Sequence, residues 1–207
     1  MRLLDRRLFV ALGAAFTLAA CNGGGGSAGA ATSEDMTLGN ADAKVTVVEY
    51  ASAACSHCAT WNEEVWPAFK AKYVDTGRVH YVFKEFLTPP IDLAAAAFLT
   101  ARCAGEDKYF GVIDAVFRAQ NTMFTTGDVR GELLRIANSA GLSEEEFNQC
   151  IRDEEALKAL NERVERAQRE DEITGTPTFL VNGKKVDGEA SLEALDKAIA
   201  EAEAAAK

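Results

Sequence analysis

Cys55 and Cys58 are separated by two residues, Ser56 and His57. That spacing lets a disulfide close across one turn of chain. Upstream, Val45 to Tyr50 is a β-branched run of strand length. Downstream, Trp61, Val65, Trp66, Phe69 and Tyr73 recur at helical spacing. The pair therefore lies where a strand gives way to a helix, with the first sulfur at the helix N-terminus. Free N–H groups and the helix dipole favour negative charge there, and the thiolate is the reactive form of cysteine. Such a setting can depress a thiol pKa from about 8.5 to roughly 3.5–7.5. Stabilising the reduced form makes the disulfide the stronger oxidant. Cys55 is the expected nucleophile and Cys58 the more buried resolving cysteine. The imidazole of His57, between them, is expected to stabilise the thiolate further. The competing reading of the same spacing is half of a zinc site, which needs about four ligands. Beyond the pair the chain offers His57, His80, Cys103 and Cys150, with no second Cys-x-x-Cys and no His-x-x-x-His. No metal is expected, and no cofactor besides the cysteine pair itself.

The start of the chain reads as a targeting segment. Arg2, Arg6 and Arg7 precede a short apolar run, Leu8 to Ala20, that ends in small residues. Leu18-Ala19-Ala20-Cys21 resembles the lipobox of bacterial lipoproteins, in which Cys21 would become the lipidated first residue. Arg6-Arg7 followed by Leu8-Phe9 is a partial match to a twin-arginine signal. Residues 1–20 are thus expected to be a lipoprotein-type signal peptide. Residues 21–37, rich in Gly, Ala and Ser, are expected to be a tether that cannot pack a core. About 18 residues of such chain reach roughly 20–25 Å. The implied location is the periplasm or cell envelope, with membrane contact through the N-terminal lipid.

The other numbers fit that location. The chain has 207 residues, which suits one domain, or one domain carrying an insertion. Its formal net charge is −10, and removing residues 1–20 takes away three arginines and one aspartate, leaving −12. So acidic a surface repels phosphate backbones, so nucleic acid is not expected as a partner. Of five cysteines, lipidation of Cys21 would leave four, which allow three pairings. The Cys-x-x-Cys spacing selects Cys55 with Cys58 and leaves Cys103 for Cys150. Export permits that disulfide. Two buried free thiols, or a second redox-active pair, are the alternatives for Cys103 and Cys150.

The remaining elements fill in a βαβ, helical block, ββα order. Pro67 should kink the first helix. Arg78 to Phe86 reads as a second strand. After Pro89-Pro90 come helical patterns at 91–104, 106–119, 128–140, 144–151 and 153–173, with Ser143 and Glu146 as a capping box. Thr178 to Val181 is a strand, Asn182-Gly183 a hairpin turn, and Ser191 can cap a last helix.

Two segments carry a family resemblance. They are Val47-Val-Glu-Tyr-Ala-Ser-Ala-Ala-Cys-Ser-His-Cys58 and Gly175-Thr-Pro-Thr-Phe-Leu-Val-Asn-Gly183. With the helical block between them, residues 38–205 resemble the DsbA-like branch of the thioredoxin superfamily. The implied fold is α/β, a thioredoxin fold with a helical subdomain inserted at about 88–170. The second position of Cys-Ser-His-Cys departs from the commoner Cys-Pro-His-Cys. The resemblance implies that Pro177 is cis and packs against the active-site disulfide. It also implies that the backbone of Thr176 pairs with extended substrate. It implies a buried acidic–basic pair, Glu49 with Lys84, beneath the active site, whose carboxylate assists proton movement at Cys58.

Together these readings describe a monomeric dithiol oxidase that introduces disulfides into cysteine-containing exported proteins. A DsbB-like membrane protein would reoxidise it. An envelope reductase or isomerase is the alternative within the same chemistry. A non-catalytic binding module or holdase on a thioredoxin fold is the alternative outside it.

Overall fold

The computed structural model describes residues 28–187 and 190–206. The expected signal peptide and the lipobox Cys21 lie outside the described residues.

The fold is built on Val45–Ala51 (β2), whose alternating and β-branched apolar side chains are buried on both faces. A strand buried on both faces must be central, and β2 is the middle strand of five. The order is β1 (Met36–Gly39), β3 (Val79–Glu85), β2, β4 (Thr178–Val181) and β5 (Lys184–Lys185). β2 runs parallel to β3 and antiparallel to β4. The crossover from β2 to β3 is helical: α1 (Ser56–Glu64), then α2 (Trp66–Phe69), which runs into a π-helical turn at Lys70–Val74. The expected kink lies at Val65, with Pro67 in the first turn of α2, where a missing N–H costs no helical bond.

Five helices follow as an insertion between β3 and β4: α3 (Ile91–Cys103), α4 (Glu106–Thr126), α5 (Val129–Ser139), α6 (Glu144–Cys150) and α7 (Glu154–Glu170). α4 runs about two turns past the expected end at residue 119. Its last turns are poor in helix formers, but Met123 is fully buried and anchors them. The hydroxyls of Thr125 and Thr126 donate to the carbonyls of Asn121 and Thr122, each at 2.7 Å. Gly127, at φ 75°, then ends the helix in the left-handed conformation. α6 starts with the Ser143–Glu146 capping box. A last helix, α8 (Leu192–Ala205), is capped by Ser191 and buries Leu195 and Ile199.

A buried carboxylate binds the insertion to the sheet. Glu85, at the end of β3, is buried and accepts from Arg102 of α3 at 2.7 Å, from Arg163 of α7 at 2.6 Å, and from the Tyr109 hydroxyl of α4 at 2.9 Å. Within the insertion, Cys103 and Cys150 form a disulfide that joins the ends of α3 and α6.

The N-terminal boundary differs from the expected tether over 21–37. Residues 28–35 pack on the body, and β1 begins at Met36. The backbone N–H of Gly29 donates to Asp171 at 2.8 Å, Asp35 pairs with Lys84 at 2.7 Å, and Glu34 pairs with Arg166 at 2.7 Å. Gly29 lies against Leu180, Val48 and the Tyr50 hydroxyl. Composition concealed this because its anchors are on distant β2, β3 and α7.

The Cys103–Cys150 bond closes a loop with a sequence separation of 47 residues. Replacing both cysteines with alanine should cost about 2–4 kcal/mol of unfolding free energy. Urea denaturation of the double variant measures it; an unchanged midpoint would remove the bond's structural role.

Candidate active site

Ala51 ends β2, and Ser52–Ala54 turn the chain into α1. Ser52 is fully buried and organises that turn. Its carbonyl accepts the N–H of Cys55 at 3.0 Å, and its Oγ accepts the N–H of Ala54 at 3.3 Å. Thr88, in the loop after β3, reaches the same Oγ through its hydroxyl at 2.8 Å and its N–H at 3.2 Å. Cys55 is the N-cap of α1, with extended backbone. Its Sγ takes the place of a capping oxygen, accepting the N–H of Cys58 at 3.4 Å.

Thr176 meets the same sulfur across the chain. The peptide bond from Thr176 to Pro177 is cis. The Thr176 carbonyl lies 3.2 Å from Sγ and accepts its proton while Cys55 is a thiol. The Thr176 hydroxyl is buried with no other partner among the described residues, which leaves it free to donate once Cys55 is a thiolate.

These donors set the charge state. The Cys55 thiol is pulled down from 9.0 to about 5. The leading cause is the Cys58 thiol donating to it; burial opposes the shift, and Thr176 and the backbone N–H groups of Cys58 and His57 support it. His57 acts here through its backbone. Its side chain is exposed. Cys58 behaves oppositely. It is fully buried, and burial, the proton it lends Cys55, and the negative charges of Cys55 and Glu49 push its thiol well above the usual range.

Glu49 is buried on β2 and accepts a hydrogen bond from the Tyr81 hydroxyl of β3. An aromatic cluster surrounds this bond. Trp66 lies 4.7 Å from the Tyr81 ring, Trp61 lies 4.7 Å from Phe179, and Phe69 lies near both tryptophans. Removal from water raises the Glu49 carboxyl from 4.5 to about 8; the Tyr81 bond opposes the rise and negative charge on Cys55 adds to it. The expected Glu49–Lys84 pair is not formed. In the parallel register Glu49 stands opposite Phe83, and Lys84 opposite Tyr50. The pleat therefore sends Lys84 to the other face, where it binds Asp35.

The structure thus brings together Cys55, Cys58, Thr176, Pro177 and Glu49, with the His57 ring exposed beside them, and leaves out Lys84. Tyr81, Ser52, Thr88 and Gln120, whose amide donates to the carbonyls of Ala53 and Cys55, are site residues that sequence reasoning missed. Tyr81 was legible only as a residue of the expected strand from Arg78 to Phe86. Among the described residues, no group of three or more His, Cys, Asp or Glu side chains converges as a metal site would need. Among them also, no helix is long and apolar enough to cross a membrane.

Comparison with known proteins agrees with this geometry. A thioredoxin family model matches residues 31–201. A Rickettsia bellii (strain RML369-C) protein named as a protein-disulfide oxidoreductase is 34% identical over 171 residues, 81% of this chain and 65% of that protein. A Rickettsia conorii protein of the same kind is 35% identical over 178 residues, 84% of this chain and 63% of that protein. The chain therefore spans a little under two thirds of these relatives. Among solved structures, Wolbachia pipientis alpha-DsbA1 has a TM-score of 0.77 at 28% identity, covering 85% of this chain and 94% of that one. BdbD from Bacillus subtilis has a TM-score of 0.69 at 23% identity, covering 81% of this chain and 92% of that one, and bears on the fold alone.

The sign of one pH effect follows from Glu49. Unfolded, its carboxyl ionises near 4.5; folded, it keeps its proton to about 8. Between those values the native state holds the extra proton, so stability falls as pH rises across the window. Burial is the leading cause and is present in both redox states. In the disulfide form, Glu49→Gln should flatten this decline by on the order of 1–4 kcal/mol. Urea midpoints at the two ends of the window test it; an identical pH slope in both proteins would mean Glu49 is not held neutral.

Proposed function

The chain belongs to the thioredoxin family whose model it matches, and from that premise we propose that it is a thiol–disulfide oxidoreductase that oxidises dithiols of exported proteins. One feature supports that direction: Cys55 Sγ caps the N-terminus of α1 among donors that pull its thiol down to about 5, while Cys58 is buried and its thiol is pushed up. A disulfide gives up its bond most readily when one of its sulfurs is comfortable as a thiolate.

The steps follow from the geometry. A client thiolate attacks Sγ of Cys55, the half-buried and reachable sulfur. A client–Cys55 bond forms, the Cys55–Cys58 bond breaks, and Cys58 leaves with the electron pair. Buried Cys58 cannot hold that charge, so it takes a proton; Glu49, which keeps its own proton up to about pH 8 and whose charge is felt at Cys58, is the proposed donor. The client's second thiolate then attacks the client sulfur of the mixed disulfide. The client disulfide forms, and Cys55 leaves as the thiolate that its donors stabilise. Two electrons have passed from client to enzyme, and a membrane-bound reoxidant of the DsbB kind would remove them. The extended client segment would pair with the backbone at Thr176, beside Pro177.

The cell envelope is the proposed site of action, with the protein exported by residues 1–20 and held by lipid on Cys21. The Cys103–Cys150 disulfide supports an oxidising compartment. We further propose that it works as a monomer.

Variants of the two cysteines separate this reading from a non-catalytic binding role. Cys55→Ser should abolish oxidation of a reduced two-cysteine peptide. Cys58→Ser, offered a peptide disulfide, should accumulate a mixed disulfide on Cys55, visible on a non-reducing gel. Undiminished peptide oxidation by Cys55→Ser would overturn the proposal.

A further inference from the structure

Gln120 belongs to the inserted helix α4, 65 residues from Cys55 in sequence. It is buried, at 3% exposure, where an unneeded amide would be costly. Its Nε2 donates to the carbonyl of Ala53 at 2.7 Å and to the carbonyl of Cys55 at 3.2 Å. One amide thus holds two carbonyls of the turn that presents the reactive sulfur.

The Cys55 carbonyl also accepts the N–H of Ala59 at 3.1 Å, the first helical bond of α1. Its orientation is set by ψ of Cys55, which is 120°. The same torsion fixes the direction of the following peptide groups relative to Sγ. A donor on the carbonyl therefore restrains the torsion that aims the N–H groups of His57 and Cys58 at the sulfur. The second bond, to Ala53, holds the turn from its other end. Without Gln120 the carbonyl of Ala53 would be buried with a lost partner, and the turn would be free to rotate to find another.

We propose that Gln120 is a positioning residue for thiol–disulfide exchange, reaching from the insertion to lock the Ala53–Cys55 turn so that backbone N–H groups stay aimed at Cys55 Sγ. This gives the insertion a task at the active site. It rests on the reading of Cys55 and Cys58 as the exchanging pair.

Gln120→Met keeps the length of the side chain and removes the donor. Gln120→Glu keeps the shape and, when ionised, turns lone pairs toward both carbonyls. The reduced parent and both variants are titrated by ultraviolet thiolate absorbance, and each is equilibrated against glutathione. Circular dichroism and thermal midpoints establish that they are folded. Losing a hydrogen bond of ordinary strength should lower the Cys55 thiolate-to-thiol ratio at fixed pH by about three- to tenfold. The equilibrium constant with glutathione should shift by a similar factor toward a weaker oxidant. The Glu variant should shift at least as far as the Met variant.

Folded variants that titrate and equilibrate like the parent would overturn the proposal, including the case in which only the thermal midpoint falls. Failure of the underlying reading looks different: the parent itself would then titrate as an ordinary thiol and fail to oxidise a peptide dithiol.

Discussion

A negative charge on Cys55 Sγ is stable only where donors already point at it, and here those donors are nearly all backbone or buried. The buried Cys58 thiol is the leading donor, the Thr176 side chain joins it, and the peptide N–H groups of Cys58 and His57 are held by α1. Such donors need no reorganisation when the charge appears, so the thiolate is favoured without cost at the moment of exchange. The rest of the fold is arranged around keeping them still. β2 is buried on both faces, Ser52 and Thr88 clamp the turn, and β4 brings Thr176 across from the far end of the chain.

The second sulfur requires the opposite environment. Cys58 faces the interior, beneath which Glu49 and Tyr81 share a hydrogen bond inside an aromatic cluster. Burial raises both the thiol and the carboxyl. The two sulfurs are close in space but sit in unlike surroundings, one against donors and one in apolar packing. That asymmetry makes Cys55 the sulfur more readily released as an anion and Cys58 the one that needs a proton.

Local patterns were readable from the sequence and long-range ones were not. The Cys-x-x-Cys pair, the strand before it, the Pro67 break and the Ser143–Glu146 box each depend on residues within a few positions of one another. Lys84 was misplaced because its partner depended on register: a parallel alignment that sets Tyr50 against Lys84 sends the lysine to the face opposite Glu49. Tyr81 was visible as an apolar strand residue, but its hydroxyl acquires meaning only from that same register. Gln120 lay beyond the expected end of its helix, in a stretch whose helicity comes from burial of Met123 rather than from propensity. The packing of residues 28–35 was hidden by their composition, since small residues read as a tether unless the acceptor on Asp171 and the charges on Lys84 and Arg166 are known.

The reduction potential of the Cys55–Cys58 pair decides whether its disulfide accepts electrons from a client. It is measured by equilibration with glutathione in a protein starting near Thr32, with Cys103 and Cys150 mapped separately. A thiolate held this firmly at a helix N-cap predicts an oxidising value, about −120 to −180 mV. A value near about −270 mV would contradict the account: the disulfide would then be the stable form, and the pair would pass electrons to its clients instead of accepting them.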